Sequence, residues 1–179
     1  MTRLDTNKLM GVNGSDLCSF FKVENVHFHW GANDFQGSEH KLNGEKLPLE
    51  MHVVHSSARS DNYVVTGLIF QVQAEDNPVL EPFLKAVDEL QTKESLEIEF
   101  NIFSIYPSEM SLEKYYRYSG SLTTPPCSEV VIWNVFKKPI MISSAQMARI
   151  RIIGPEISFR HVQPINGRTL YKSYKENQC

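Results

Sequence analysis

The sequence predicts a mixed fold dominated by β-sheet, with short helices around it. Three features carry that expectation. Apolar and polar residues alternate in several segments, one nearly continuous apolar run suits a strand buried on both faces, and helical spacing is confined to a few short stretches.

The first strand signal is FFKVENVHFHW, residues 20–30. Strict alternation places Val23, Asn25, His27 and His29 on one face and Val26, Phe28 and Trp30 on the other. GANDFQGSEHKLNGEK (31–46) is a turn-rich connection in which Asn43-Gly44 is the best hairpin candidate. In KLPLEMHVVH (46–55), Glu50, His52 and Val54 alternate with Leu49, Met51, Val53 and His55. NYVVTGLIFQVQ (62–73) is the doubly buried strand.

VLEPFLKAVDELQ (79–91) has Leu80, Phe83, Leu84, Val87 and Leu90 at helical spacing, with Pro82 in the first turn. ISSAQMARI (142–150) offers a capping box from Ser143 to Gln146 and a hydrophobic staple from Ile142 to Met147. VVIWNVF (130–136) reads as a further strand, and SGSLTTPPCS (119–128) before it as irregular.

Composition narrows the function. The 179 residues fit one domain, 41% hydrophobic and 22% charged, as in an ordinary globular protein. The net charge of −3 is interspersed, with no basic stripe for nucleic acid, so a small-molecule partner is expected. No apolar run reaches membrane-spanning length, and the N-terminus lacks the apolar core of a signal peptide. Cys18, Cys127 and Cys179 have no metal-site spacing, and Asn13-Gly14-Ser15 is a glycosylation sequon that also reads as a turn.

The pair His27 and His29 is the strongest chemical signal. A lone histidine facing a core is usually structural. Two at i and i+2 project to one side, about 6–7 Å apart along the strand, close enough for side chains to converge on one ion. A third ligand from a neighbouring strand would make a zinc site with its fourth position open. His40, His52 and His55 are the candidates. Alternation favours His52, because Glu50 shares its face and can accept a hydrogen bond from the ring, whereas His55 faces the other way and His40 lies in the turn-rich segment.

HFHWG, GSEH, LEMHVVH, YSGSLTTPPC, VIWNVF and FRHVQPINGR occur in the order of the signature segments of the α-class carbonic anhydrases. The chain resembles that family over nearly its whole length. The resemblance implies a large, mainly antiparallel twisted central sheet with short peripheral helices, formed by residues 1–179 as a single domain. It implies zinc-dependent reversible hydration of carbon dioxide to bicarbonate and a proton by zinc-bound hydroxide, with sulfonamide-type compounds as inhibitors. By position it assigns zinc to His27, His29 and His52, a supporting hydrogen bond to Asn25 (where the family usually has glutamine), and another to Glu50. Thr123 matches a gatekeeper threonine whose hydroxyl donates to Glu39, and Thr124 a neighbour of bicarbonate. Val54, Val65, Leu122, Val131 and Trp133 match an apolar wall for the substrate.

The departures from the family's pattern are equally specific. The portion before the first signature is short, lacking the family's SPINI-type segment and its proton-shuttle histidine. Deletions follow His55 and the MARIRIIG stretch (147–154). These features resemble a truncated form, in which the released proton would pass directly to buffer. Cys127 matches the cysteine that secreted and membrane-anchored members pair with an N-terminal partner, for which Cys18 is a candidate substitute. The alternative function is a catalytically silent carbonic-anhydrase-like binding module, or a non-functional truncated isoform. A zinc hydrolase fits less well, since no general-base carboxylate is evident beside the water.

Overall fold

A computed structural model describes residues 2–3, 10–14, 16–107 and 112–175. Cys179 and Ser15 of the sequon lie outside the described residues. The strands are β1 (Thr2–Arg3), β2 (Gly11–Gly14), β3 (Leu17–Trp30), β4 (Leu49–Ser57), β5 (Ser60–Gln73), β6 (Tyr115–Gly120), β7 (Val131–Phe136), β8 (Ile140–Ser143) and β9 (Tyr171–Lys172). They form one sheet in the order β1-β3-β4-β5-β7-β6-β9, with β2 also on β3 and β8 also on β5. Six pairings are antiparallel. The long β5 adds two parallel neighbours end to end, β7 along Tyr63–Gly67 and β8 along Phe70–Gln73. The mainly antiparallel expectation holds.

Flanked by strands on both edges, β5 is buried without interruption from Val64 to Phe70, so its apolar run has no solvent face to serve. The Asn43-Gly44 hairpin forms: Leu42 and Glu45 bridge, and φ values of 54° and 88° are the left-handed pair a two-residue turn requires. Asn13 and Gly14, which also read as a turn, instead end β2: Gly14, at φ 81°, pairs with Leu17 after a register shift from Val12.

Helix α1 (Glu81–Glu89) follows a 3-10 turn at Pro78–Leu80 capped by Asn77, and Leu80, Leu84 and Val87 are buried. Helix α2 (Ser144–Arg151) carries the expected capping box of Ser143 and Gln146. Ile142 and Met147, the proposed staple, are both fully buried. Arg149 of α2 ties the two helices together, reaching Glu81 at 2.8 Å and Asp88 at 2.7 Å. Both helices cover a core of Leu49, Met51, Val53, Leu68, Phe70 and Ile142 on one face of the sheet.

Two expectations change. Strict alternation put Val23 with the histidines, but a bulge at Glu24 inserts an extra residue between the Val23–His55 and Asn25–Val54 pairs. Val23 therefore joins Val26 in the main core, and the phase that carries Asn25, His27 and His29 begins only after the bulge. Ser119 and Gly120, read as irregular, instead close β6 against Ile132 and Val131. Tertiary pairing supplies what local composition did not.

Candidate metal and catalytic site

Opposite the main core, β3 and β4 bring three imidazoles together. His27 pairs directly with His52 across the ladder, and His29 sits two residues on, opposite Glu50. Ring centroids are 5.1 Å apart for His27–His29, 5.3 Å for His27–His52 and 4.6 Å for His29–His52. One nitrogen from each ring lies within 4.8 Å of the others.

Each ring is fixed from behind. His27 Nδ1 lies 3.0 Å from the amide oxygen of Asn25, and His29 Nδ1–H donates to the carbonyl of Ser158 at 2.6 Å. His52 Nε2 lies 2.8 Å from Glu50 Oε1. With those nitrogens as donors, His27 Nε2, His29 Nε2 and His52 Nδ1 carry the lone pairs. Burial first, then the neighbouring His52 and His29 rings, pushes His27 down to about 3. Burial and then His52 lower His29. In neutral solution both are uncharged, the form a metal needs.

Two buried atoms here have no hydrogen-bond partner among the described residues: His29 Nε2 and Glu39 Oε2. An orphaned imidazole lone pair facing two further imidazoles is what a bound cation would satisfy. Three imidazole nitrogen donors suit zinc with an open position. The residues fit the group.

A second set, His40, Glu50 and His52, also clusters, but its atoms already satisfy one another. Glu50 Oε1 lies 2.6 Å from His40 Nδ1, the His40 backbone N–H donates to Oε2 at 2.8 Å, and Tyr118 Oη lies 2.6 Å from His40 Nε2. Burial alone would raise Glu50, yet His40 and His52 outweigh it and hold its carboxyl well below the usual range. Burial likewise opposes charge on His40, and Glu50 overcomes it, so His40 is raised. Gly67, facing His52 on β5, leaves room for this carboxylate, since a Cβ there would lie 3.0 Å from Glu50 Oε1.

The expected apolar wall also assembles. Val54, Val65, Val131 and Trp133 are buried in one cluster, with Leu122 packed against them and Ile69 and Val135 added. The Trp133 ring lies 4.7 Å from that of His52, so the wall begins at the histidines. Thr123 is half-buried and lines the same cavity as Glu39, while Thr124 is exposed. The hydrogen bond implied from Thr123 to Glu39 is not formed: Glu39 Oε1 accepts the Arg160 backbone N–H at 2.7 Å, and Oε2 accepts none among the described residues. Cys18 and Cys127 are free thiols, not a pair.

Ser158 and Arg160 were missed from the sequence. Their segment docks on the end of β3, with Ser158 exchanging hydrogen bonds with the Trp30 backbone and the Trp30 indole N–H donating to Pro155 O at 2.9 Å. Both act through backbone groups, which no side-chain pattern announces.

The model of the eukaryotic-type carbonic anhydrase family matches residues 1–174. The chain is 31% identical over 191 residues to "Carbonic anhydrase 3" of Bos taurus and 32% over 193 residues to that of Homo sapiens, covering in each case 96% of this chain and 73% of the relative. It is 29% identical over 182 residues to "Carbonic anhydrase 4" of Mus musculus, covering 92% of this chain and 60% of the relative.

Proposed function

The chain belongs to the eukaryotic-type carbonic anhydrase family, and on that premise we propose that it hydrates carbon dioxide reversibly to bicarbonate and a proton at a zinc held by His27, His29 and His52. The observation that carries the assignment is the convergence of three imidazole nitrogens, one of them a buried orphan, each ring anchored through its other nitrogen. When bound, zinc supplies a water whose pKa falls from 15.7 to about 7.

The remaining chemistry belongs to the chain. Asn25, Ser158 and Glu50 hold the three rings in one tautomer and one orientation, which limits the reorganisation needed at the site. Val54, Val65, Leu122, Val131 and Trp133 offer carbon dioxide a dry surface, suited to a molecule that gains little from hydrogen bonds. Glu39 Oε2 is the acceptor we assign to the Thr123 hydroxyl, so that the threonine oxygen is left to accept a hydrogen bond and orient the attacking water. Thr124 is assigned to bicarbonate. A carbon–oxygen bond forms and a proton leaves; with His40 locked between Glu50 and Tyr118, and His55 on the other face of β4, neither carries that proton to solvent.

Stopped-flow carbon dioxide hydration by the zinc-loaded chain tests this. The proposal expects turnover that a sulfonamide abolishes and that rises with added imidazole buffer. Zinc-replete, folded protein without turnover would instead support a metal-binding but catalytically silent module, the second reading, which the unformed Thr123–Glu39 contact favours.

A further inference from the structure

A cavity of about 410 Å³ opens between β6, the hairpin at Asn43-Gly44 and the segment from Arg160 to Leu170. His27, His29 and His52 do not line it. Glu39 and His40 reach it from the metal side, and Tyr118 and Trp133 form an aromatic wall with their planes 11° apart. Ile165 and Leu170 face it while 55% and 50% exposed, apolar surface without a covering element among the described residues. A volume of this size lies in the range that holds small organic ligands.

Charge decides which kind. Arg160, Arg168 and Lys41 line the cavity, against a single carboxylate, Glu39, that is 7% exposed and already accepts from the Arg160 amide. Arg168 lies over the Tyr118 ring at 5.3 Å. Its Nε and Nη2 donate to the carbonyls of Ile165 and Pro164, at 2.9 and 2.8 Å, which fixes the guanidinium and leaves Nη1 without a hydrogen bond among the described residues. Arg160 spends only Nη1, on Ser121 Oγ at 3.4 Å. Two half-buried guanidiniums with unspent donors beside an aromatic and aliphatic wall match a flat apolar body carrying one anionic group.

We propose that this cavity binds small aromatic carboxylates, the carboxylate taken by Arg168 and Arg160 and the ring by Tyr118, Trp133, Ile165 and Leu170. A neutral or cationic aromatic would leave the spare donors buried and unpaired, which is the basis of selectivity. The cavity omits the three histidines but shares Glu39, Thr123 and Trp133 with the catalytic site, and the carboxylate is placed at its Arg160 and Arg168 end, off the metal.

Calorimetric titration of the zinc-loaded chain with 2-naphthoate tests the proposal, before and after saturation with a small non-aromatic sulfonamide. The expected result is saturable one-to-one binding in both cases, at least tenfold weaker for the neutral 2-naphthylmethanol and for Arg168→Met. Leu170→Trp, at an exposed position that tolerates a larger side chain, should fill the mouth and lower affinity to a similar degree, keeping the test decisive if Arg168→Met fails to fold. No saturable binding, displacement by the sulfonamide, or wild-type affinity in the folded variants would overturn it.

Discussion

β4 buries two histidines three residues apart, at 1% exposure for His52 and 0% for His55. His52 faces His27 and His29, gives one nitrogen to the Glu50 carboxylate and keeps the other turned to the shared centre. His55 faces the opposite way, on the side of Met51 and Val53, donates Nδ1–H to the Val64 carbonyl at 2.9 Å and leaves Nε2 without a partner among the described residues. Both rings are buried and each has one nitrogen hydrogen-bonded, so the two look alike when each residue is taken singly. What separates them is company: His52 has a carboxylate behind the ring and two further imidazoles in front of it, the arrangement we propose holds zinc, whereas His55 has a backbone carbonyl. On that proposal the two faces of one strand divide the work of holding the fold and holding the chemistry.

That division predicts separable mutational effects. The largest is expected from His52→Ala, which removes a ligand outright and should lower zinc affinity and hydration by well over the 10- to 100-fold typical of losing a supporting residue, while zinc titration and stopped flow record both. On the other face, Met51→Ala should cost about 2–5 kcal/mol in urea unfolding and leave zinc affinity per folded molecule unchanged. Loss of zinc affinity in folded Met51→Ala would mean the faces are not independent.

His55 sharpens the contrast through pH. Burial lowers it from 6.5 to about 4. The unfolded chain therefore binds this proton more readily than the folded one, so its stabilising contribution is full above pH 6.5 and falls away as pH drops towards 4. That amounts to about 3 kcal/mol across the window. Urea midpoints measured from pH 7 to pH 4 should decline less steeply in His55→Asn, which keeps a donor for Val64 and cannot titrate, although its midpoint at pH 7 is lower. The smallest effect is expected from Glu50→Gln: it preserves shape while weakening the anchor of His52, so zinc affinity should fall about 10- to 100-fold. A wild-type affinity would show that Glu50 serves His40 alone.

Much of this face was legible in the chain. The H-x-H pair, the alternation that set His52 and Glu50 apart from His55, the Asn43-Gly44 turn and the Ser143 capping box all rest on period or turn chemistry within a few residues, and such local rules survive folding. The bulge at Glu24 was not legible, because it is a property of the ladder between two strands, so Val23 was placed on the wrong face. Nor were the Ser158 carbonyl and the Arg160 amide, which arrive from 129 and 121 residues away through backbone groups that every residue possesses. His40 was set aside for lying in a turn-rich segment. Its partner Tyr118 is 78 residues distant, and only the folded sheet brings them together.

X-ray absorption at the zinc edge of the purified chain tests the central claim most directly. Three imidazoles and one open position predict four nitrogen or oxygen neighbours at about 2.0–2.1 Å, with three imidazole rings in the outer-shell scattering. Loss of one ring in His52→Ala, and none in His55→Asn, would complete the result. Sulfur at about 2.3 Å, or fewer than three imidazoles in the wild-type chain, would contradict the account.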